Sequence, residues 1–290
     1  MAIWNLGSIN IDLFYAVPHL PGAGETLAST SHTRGLGGKG ANISVAAARA
    51  GARANHIGSI GQDGVWTRDL LLEYGVDAQS ITAGDTPTGH AIIATDADGE
   101  NCIILAPGAN HALTEDQLKQ ALTKANVDDW FVCQNETNLQ SEGAKLAKQL
   151  GLHVAYVAAP FDADAVSAVL DTLDLLILNA VEAAQLTEAT GHKPDALGVK
   201  DVIVTLGVDG ADWYRGGSVK RIEPVKVTPV DSTGAGDTFA GYVIAHLDRG
   251  FAMDQALAQA TRAAAIMVTR YGTADVIPDL KDLEDFKLGN

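Results

Sequence analysis

The sequence has few cysteines, few basic residues and no long apolar run, and each shortage disfavours a class of protein. The two cysteines, Cys102 and Cys133, form neither a disulfide framework nor a four-ligand zinc site, and this usage fits a reducing cytoplasm. Twenty basic against 36 acidic residues give a net charge of −16, which disfavours nucleic-acid binding. No stretch of about 18 apolar residues occurs, so we expect no membrane-spanning helix.

Two common catalytic patterns are also missing. The eight histidines show neither the H-x-x-x-H nor the H-E-x-x-H spacing of zinc hydrolases. The Gly-x-Ser-x-Gly segment that marks many α/β-hydrolases is absent as well. Any catalytic chemistry must therefore come from other residues.

Short apolar segments rich in β-branched residues alternate with alanine-rich segments at helical spacing. This alternation predicts an α/β fold with a mostly parallel sheet covered by helices on both faces. In such a sheet, ligands bind beyond the carboxyl ends of the strands. The predicted strands are 2–9, 54–60, 129–134, 152–158, 173–178 and 201–206, and the predicted helices are 41–50, 65–74, 115–125, 139–150, 162–170, 181–190, 236–248 and 253–269.

Two segments, 12–36 and 89–105, have β character but lack crossover helices. The second predicts a hairpin that joins 91–95 to 101–105 through the turn Asp96-Ala97-Asp98-Gly99. Such segments can pair as a small antiparallel flap that closes over a ligand crevice and excludes water. A surface ornament is the alternative.

The segment from Asp231 to Gly241 carries the clearest chemistry. Gly234-Ala235-Gly236 lets backbone amides crowd together at the start of a predicted helix, which makes an anion site. Asp237 follows in the first turn, where a carboxylate can take a proton from an attacking hydroxyl while the amides hold phosphoryl charge. The alternative is an ordinary helix start capped by Thr233 and stabilised by Asp237.

A second glycine-rich segment, Gly35-Leu36-Gly37-Gly38-Lys39-Gly40-Ala41-Asn42, matches the dinucleotide pattern G-x-G-x-x-G literally. The preceding residues 30–34 are polar, and no βαβ unit frames the match. The Walker A pattern fails because Gly40 follows Lys39 where serine or threonine is required. Close backbone approach to a polar small molecule, with hydrogen bonds from Asn42, fits better than a mere tight turn.

Three weaker signals follow predicted strands. Asp12 can accept hydrogen bonds from two hydroxyls of a polyol. Asn179 and Glu182 match the pattern of a capping box. They fit equally well a site in which Asn179 contacts a nucleotide phosphate and Glu182 contacts a magnesium-bound water. The two glycines of 205–210 can admit a nucleotide or simply turn the chain.

Taken together, Asp231–Phe239 and Gly37–Asn42 resemble the two signatures of the ribokinase-like (PfkB) family of carbohydrate kinases. The resemblance runs over residues 7–278 and implies a three-layer α/β/α fold with a central mostly parallel sheet and a small β-sheet lid. It implies a large nucleotide- and substrate-binding domain of residues 1–11, 37–88 and 106–290. The lid would comprise 12–36 and 89–105 and would also join two subunits as a homodimer.

The resemblance also implies roles for individual residues. Asp237 would be the catalytic base, and Gly234, Ala235 and Gly236 would form the anion hole. The sugar would be bound by Asn10, Asp12, Gly38, Lys39, Asn42, Glu136, Asp231 and Asp237. ATP would be bound by Asn179, Thr205, Leu206, Gly207, Gly210, Thr233, Gly236 and Thr261. Glu182 would hold Mg²⁺ through water, and K⁺ would lie near Asp231, Thr233, Met267, Arg270 and Gly272.

Four residues depart from the family's ribokinase pattern. Ile43, Ala158 and Ala240 bear on the acceptor, and Val276 bears on potassium because it lacks a side-chain oxygen. We therefore expect a cytoplasmic kinase that uses ATP and Mg²⁺ on a hydroxyl of a small sugar, with ribose as the leading acceptor. Fructose, another hexose, a sugar acid or a nucleoside are alternative acceptors. Outside the kinases, the alternatives are an NAD-dependent oxidoreductase and a non-catalytic sugar- or nucleotide-binding protein.

Overall fold

The computed structural model describes residues 1–286, which form a large sheet, a separate small sheet and flanking helices. Positions 287–290 of the predicted large domain lie outside this description. Seven parallel strands and an antiparallel pair make up the large sheet, as the α/β prediction requires. Its strands are β1 (Ile3–Leu6), β4 (Ala54–Gly61), β5 (Asp77–Gly84), β8 (Trp130–Gln134), β9 (His153–Val157), β10 (Leu175–Asn179), β11 (Asp201–Thr205), β12 (Ala211–Arg215) and β13 (Ser218–Ile222).

Helices cover both faces of this sheet, because the strands are apolar on both sides. Adjacent residues of β8 show this, since Phe131 and Val132 are both fully buried but belong to two separate cores. The helices of one face are α1 (Lys39–Arg49), α2 (Val65–Glu73), α7 (Ala235–Asp248), α8 (Met253–Met267) and α9 (Leu280–Asp285). Those of the other face are α3 (Glu115–Leu122), α4 (Gln140–Gln149), α5 (Ala163–Ser167) and α6 (Ala180–Thr190). This is the three-layer arrangement that the sequence predicts.

The strand order of the large sheet reverses beside β1. From β5 the order runs β5-β4-β1-β8-β9-β10-β11-β12-β13, so β1 lies between two halves that extend in opposite directions. Helices connecting the two halves leave a crevice at such a point, beyond the carboxyl ends of the strands. The residues that follow β1 and β8 therefore enter the crevice.

The small sheet contains both segments that lack crossover helices. Its order is β3-β2-β6-β7, formed by β2 (Asn10–Ala16), β3 (Ser31–Gly37), β6 (Gly89–Thr95) and β7 (Asn101–Ala106). The predicted hairpin is confirmed, with β6 and β7 paired antiparallel around the turn at 96–99. Arg34 of this sheet places its guanidinium 5.0 Å from the ring centre of Trp66 on α2, which links the small sheet to the large one. The division into a large domain and a lid stays a prediction.

Glycines let β1, α1 and α7 approach one another more closely than side chains would allow. A Cβ on Gly40 would lie 2.4 Å from the Cα of Gly7, so the start of α1 rests on the backbone that leaves β1. A Cβ on Gly241 would lie 2.5 Å from the Cβ of Ala46, so α7 rests directly on α1. Separations this short exclude any side chain. The starts of both helices are thereby fixed beside the crevice.

Four elements, the strands β5, β12 and β13 and the helix α9, were not predicted from the sequence. Polar residues interrupt β5, whose Gln79 is exposed, so that it lacks the apolar run of a central strand. The antiparallel pair β12 and β13 is solvated along one side and departs from the helix–strand alternation. The short helix α9 begins at a capping box of Asp279. Within residues 1–286, none of the helices combines the length and apolarity needed to cross a bilayer.

Candidate active site

The start of α7 faces open space at the crevice. Gly234 precedes the helix with φ of +73°, a left-handed conformation that favours glycine, and no side chain caps the helix. The alternative of a cap by Thr233 is therefore wrong. A Cβ on Gly236 would meet nothing within 4 Å, so the first turn is uncovered. The first amides of a helix have no intrahelical partner, and a space that an anion can enter lies beside this turn. The Ala235 amide donates to the Ser232 carbonyl over 3.3 Å.

Asp237 lies in this first turn and is only 6% exposed. Its Oδ2 accepts a hydrogen bond of 2.9 Å from Nδ2 of Asn42 on α1. The contact fixes the carboxylate and joins the two glycine-rich segments that the sequence singles out. Oδ1 of Asn42 is buried without a partner among residues 1–286, so it remains free to accept a hydroxyl hydrogen.

Asp12 lies in β2 against the backbone of β3. A Cβ on Gly37 would lie 2.0 Å from Oδ2 of Asp12, so the carboxylate occupies space that only glycine leaves free. Burial raises the pKa of Asp12 to about 7, and the nearby carboxylates of Glu136 and Asp237 add to this rise. Three of the four acids that sequence analysis assigned to the sugar, Asp12, Glu136 and Asp237, therefore lie close enough to interact.

Glu136 and Lys39 complete this charged group. Oε2 of Glu136 accepts hydrogen bonds from the hydroxyl of Ser8 and, over 3.1 Å, from the amide of Lys39. Burial raises the pKa of Glu136, whereas the Ser8 hydrogen bond and the charge of Lys39 oppose the rise. The carboxylate of Asp237 is the largest influence raising the pKa of Lys39, and Glu136 and Glu182 act in the same direction against burial. Lys39 is thus a cation among several acids.

A small cavity of about 130 Å³ opens between the small sheet and the ends of β1 and β8. Two of the residues that the sequence predicts for the sugar, Asn10 and Glu136, line it. The other predicted sugar residues are not in its lining: Asp12, Gly38, Lys39, Asn42, Asp231 and Asp237. Asn110, to which sequence analysis assigned no role, also lines it and donates a hydrogen bond of 2.8 Å to Oδ1 of Asn10. Its remaining lining residues are Leu105, Ala106, Pro107, His111, Asn135 and Pro160.

A larger cavity of about 520 Å³ lies on the other side of the α7 start. The predicted ATP residues that line it are Thr205, Gly207, Gly210, Gly236 and Thr261. Leu206, Asn179 and Thr233 do not, and the side chain of Leu206 instead packs against the core. Sequence analysis missed much of the apolar wall, which comprises Val208, Pro224, Val225, Val227, Pro229, Phe239, Ala264, Ala265 and Val268. Such a wall suits the flat face of a nucleotide base.

Asn179 and Glu182 form the capping box of α6. The side chain of Asn179 accepts from the Glu182 amide over 2.9 Å, and Oε2 of Glu182 accepts from the Asn179 amide over 2.7 Å. Burial raises the pKa of Glu182, Asp237 adds to the rise, and Lys39 opposes it. The capping alternative is therefore realised, and the same carboxylate also faces the charged group.

The residues predicted around potassium lie together on two adjoining segments. Oδ1 of Asp231 accepts from the Thr233 amide over 2.9 Å, and its Oδ2 accepts from the Gly272 amide over 3.4 Å. The side chain of Arg270 turns away toward Asp282. Asp231 therefore bonds to the backbone here and does not join Asp12, Glu136 and Asp237. Its predicted contact with the sugar stays a prediction.

Magnesium fits the crevice only as an ion carried by phosphates. No group of three or more His, Cys, Asp or Glu side chains that could hold a metal occurs among residues 1–286. Mg²⁺ commonly binds through one or two carboxylates together with substrate phosphates and water. Glu182, which faces Lys39 and Asp237 across the crevice, suits that limited role.

The comparisons with known proteins agree with this geometry. A family model described as pfkB family carbohydrate kinase matches residues 3–280. The chain belongs to this family. The PfkB-family assignment overturns the NAD-dependent oxidoreductase and non-catalytic alternatives. It also agrees with the placement of Gly35 and Gly37, which lie in β3 of the small sheet rather than in a βαβ phosphate loop.

Several relatives of this PfkB-family chain are ribokinases. It is 35% identical to ribokinase of Haemophilus influenzae, with 97% of this chain and 96% of that protein covered. Identity to ribokinase of Bacillus subtilis is 31%, with 97% of each covered. The structure of Thermotoga maritima ribokinase superposes with a TM-score of 0.88 at 29% identity, covering 98% of each chain. Arabidopsis thaliana ribokinase, in a structure with ribose and ATP, gives 0.84 at 28% identity, covering 99% of this chain and 100% of that one.

The raised pKa of Asp12 predicts a pH-dependent stability that Asp12→Asn removes. Because the native pKa of about 7 exceeds the ordinary 3.8, the native state holds more protons than the unfolded state between these pH values. The free energy of unfolding contributed by Asp12 therefore falls as the pH rises through this window. We expect Asp12→Asn to stabilise the protein above pH 7, by up to about 4 kcal/mol, and to have little effect near pH 4.

Urea unfolding at pH 4 and pH 8 measures this difference. Asp98→Asn is the matched control, because it removes the same charge from an exposed turn of the small sheet. An equal change in unfolding free energy at both pH values for Asp12→Asn would contradict the prediction.

Proposed function

We propose that this protein transfers the γ-phosphoryl group of ATP to the primary hydroxyl of ribose. The observation that carries the proposal is the position of Asp237. It is buried at the start of α7, with the large cavity on one side and the carboxylates of Asp12 and Glu136 on the other. The ribokinase relatives, one of them seen with ribose and ATP, support ribose as the acceptor. The base and ribose of ATP would occupy the large cavity, and the acceptor would bind among Asp12, Glu136 and Asp237, beside the small cavity.

Asp237 would act as the general base for the attacking hydroxyl. The hydroxyl oxygen forms a bond to the γ-phosphorus, the bond from that phosphorus to the β–γ bridging oxygen breaks, and ADP leaves. The hydroxyl proton passes to the carboxylate of Asp237, which Asn42 holds in place. The hydrogen bond to Asn42 therefore orients the base before the acceptor arrives.

The remaining charged groups would stabilise the transferring phosphoryl group. The amides of Gly234, Ala235 and Gly236 lie at the positive end of the α7 dipole and face the site of charge development. Lys39, which already lies beside Asp237, would neutralise phosphate charge. When bound, Mg²⁺ would supply further neutralisation of the phosphates, with Glu182 holding it through water. A monovalent cation near Asp231 and Gly272 is part of the same proposal, and the cytoplasmic location stays a prediction.

A panel of possible acceptors tests the proposed kinase activity. ADP release is measured with ribose, 2-deoxyribose, fructose, glucose, gluconate and adenosine, each with and without Mg²⁺ and K⁺. We expect kcat/KM for ribose to exceed that of every other compound by about tenfold or more, because a site built around hydroxyl partners rejects sugars that leave those partners unpaired. Higher kcat/KM with another compound would replace ribose as acceptor, and no ADP release with any of them would refute the proposal.

Replacement of the proposed base gives a sharper test of mechanism. Asp237→Asn keeps the size of the side chain but cannot accept the hydroxyl proton, so we expect kcat to fall by about a hundredfold or more. The KM for ATP should change little, since the large cavity is intact. Circular dichroism confirms folding, and Asp248→Asn is a matched control, since Asp248 is also buried on α7 but at its far end. Near-normal turnover in folded Asp237→Asn would remove Asp237 from the mechanism.

We also propose that two copies pair through the small sheet. Its edge strand β7 exposes Ile103, Ile104 and Leu105 together, each more than half exposed. An apolar edge strand with unpaired backbone groups is a ready site for pairing with another chain.

Light scattering tests this pairing. We expect the molar mass to be twice 30.2 kDa for the native protein and 30.2 kDa for Ile104→Lys. Val219→Lys is the matched control, because Val219 is likewise 60% exposed on β13, the edge strand of the other sheet. A monomeric native protein would contradict the proposal.

A further inference from the structure

A chain of buried polar side chains runs beneath the acceptor site, within a sheet whose centre is mostly apolar. We call it the buried polar chain and define it by Gln134, Asn5, Ser44 and His56, which are each at most 1% exposed. These residues come from β8, β1, α1 and β4 respectively, so the chain crosses three neighbouring strands and the helix above them. None of the four was singled out by sequence analysis.

The hydrogen bonds of the buried polar chain have a fixed direction. The carbonyl of Gly7 can only accept, so Nε2 of His56, 3.0 Å away, must donate to it. Burial lowers the pKa of His56 to about 4, so the ring is neutral near pH 7 and its Nδ1 is an acceptor. The Ser44 hydroxyl, 2.8 Å from Nδ1, therefore donates to His56.

The remaining bonds follow from this direction. Nδ2 of Asn5 donates over 2.8 Å both to the Ser44 hydroxyl and to the carbonyl of Gly40. Oδ1 of Asn5 accepts from Nε2 of Gln134 over 2.7 Å. Donation thus runs from Gln134 through Asn5 and Ser44 to His56 and ends on Gly7. Every neutral group from Asn5 to His56 has a partner for each bond that it needs.

The buried polar chain bonds to the backbone at two glycines beside the acceptor site, with His56 donating to Gly7 and Asn5 donating to Gly40. Gly7 and Gly40 are the glycines whose close contact seats α1 on the end of β1. Between them, the Ser8 carbonyl accepts from the Ala41 amide over 2.9 Å, and the Ser8 hydroxyl accepts from the Gly40 amide over 3.2 Å. The same Ser8 hydroxyl donates to Glu136. A shift of either glycine would therefore move Glu136 and Lys39.

The stability of the folded core does not by itself explain the buried polar chain. Burying four polar side chains removes them from water, and apolar side chains of similar volume commonly stabilise a core as well or better. A directed chain of hydrogen bonds, by contrast, allows only one relative placement of the groups that it joins. Gly58 also leaves space for the imidazole ring of His56, because a Cβ on Gly58 would lie 2.9 Å from its Nε2. This close fit likewise indicates that the position of the ring is specified.

From this geometry we infer that His56 is a positioning residue for the sugar acceptor. By donating to the Gly7 carbonyl and accepting from Ser44, it holds the end of β1 against the start of α1, and so fixes Ser8, Glu136 and Lys39. The inference rests on the proposed function for its kinetic consequence. His56 is fully buried and lines neither cavity, so its effect would be indirect and would fall on the acceptor side of the crevice.

Three variants test the inference by kinetics. His56→Leu removes both hydrogen bonds, and we expect the KM for ribose to rise by about ten- to a hundredfold while the KM for ATP changes less than about twofold. His56→Gln keeps a donor for the Gly7 carbonyl, and we expect it to restore most of the ribose KM. Asn55→Leu is the matched control, because Asn55 is buried on the same strand and donates to β1 at Ile3, away from the site.

Hydrogen exchange of the backbone amides gives a readout that does not need activity. We expect the peptide covering 37–44 to exchange faster in His56→Leu than in the native protein, and to be unchanged in Asn55→Leu. Ser44→Ala serves if His56→Leu fails to fold. It loses the hydrogen bonds to His56 and from Asn5 but keeps the one from His56 to Gly7, so we expect the same pattern and about a fivefold rise in ribose KM.

The outcomes separate the two proposals. If the native protein releases ADP but His56→Leu and Asn55→Leu have the same ribose KM and the same exchange at 37–44, the positioning role is overturned and the kinase stands. If the native protein phosphorylates no sugar, the proposed function fails, and the exchange comparison alone decides whether His56 fixes the start of α1.

Discussion

The site depends on backbone contacts that leave no room for side chains. Gly7 against Gly40 joins the end of β1 to the start of α1, and Gly241 against Ala46 joins α1 to α7. These contacts bring the two helix starts to the same end of the sheet, where Asn42 reaches Asp237. A methyl group at any of the three glycines would separate elements whose relative placement within less than an ångström determines the chemistry.

The charges around the crevice resolve an apparent conflict between an acidic protein and an anionic substrate. The chain carries a net charge of −16, and Asp12, Glu136, Glu182 and Asp237 all face the crevice. Lys39 lies among them, and the positive end of the α7 dipole points into the same space. Fixed partial charges and one ammonium can create a local field opposite to that of the whole protein. In the proposed reaction, the acids would bind hydroxyls, whereas the amides and Lys39 would face the phosphates.

Much of the fold could be predicted because its signals are local. Buried strands such as β8 and β10 are apolar on both faces, and the hairpin turn at 96–99 has residues typical of tight turns. The edge elements β5, β12 and β13 were missed because strands that are solvated on one side carry polar residues without a strong pattern. Their position in the sheet comes from neighbours that are distant in sequence.

The site could be predicted only where its residues stand in recognisable runs. The glycine-rich segments revealed Asp237 and Asn42, and the position of Asp12 after a strand suggested its contact with a polyol. The apolar wall around Val225 and Ala264, the partner role of Asn110, and the buried polar chain depend on contacts between remote segments. For Asp231, spacing alone could not decide between a contact with the sugar and a place beside potassium. In the structure its carboxylate accepts hydrogen bonds from the amides of Thr233 and Gly272, on the side of the predicted potassium site.

The contact between Arg34 and Trp66 makes the fluorescence of Trp66 sensitive to the position of the small sheet. The indole lies on α2 while the guanidinium that covers it lies on the small sheet, so any hinge movement of that sheet changes the surroundings of the ring. Of the three other tryptophans, Trp4 and Trp130 are buried and Trp213 lies in β12, and all three belong to the large sheet. Intrinsic fluorescence would therefore report any such movement in solution without an attached dye.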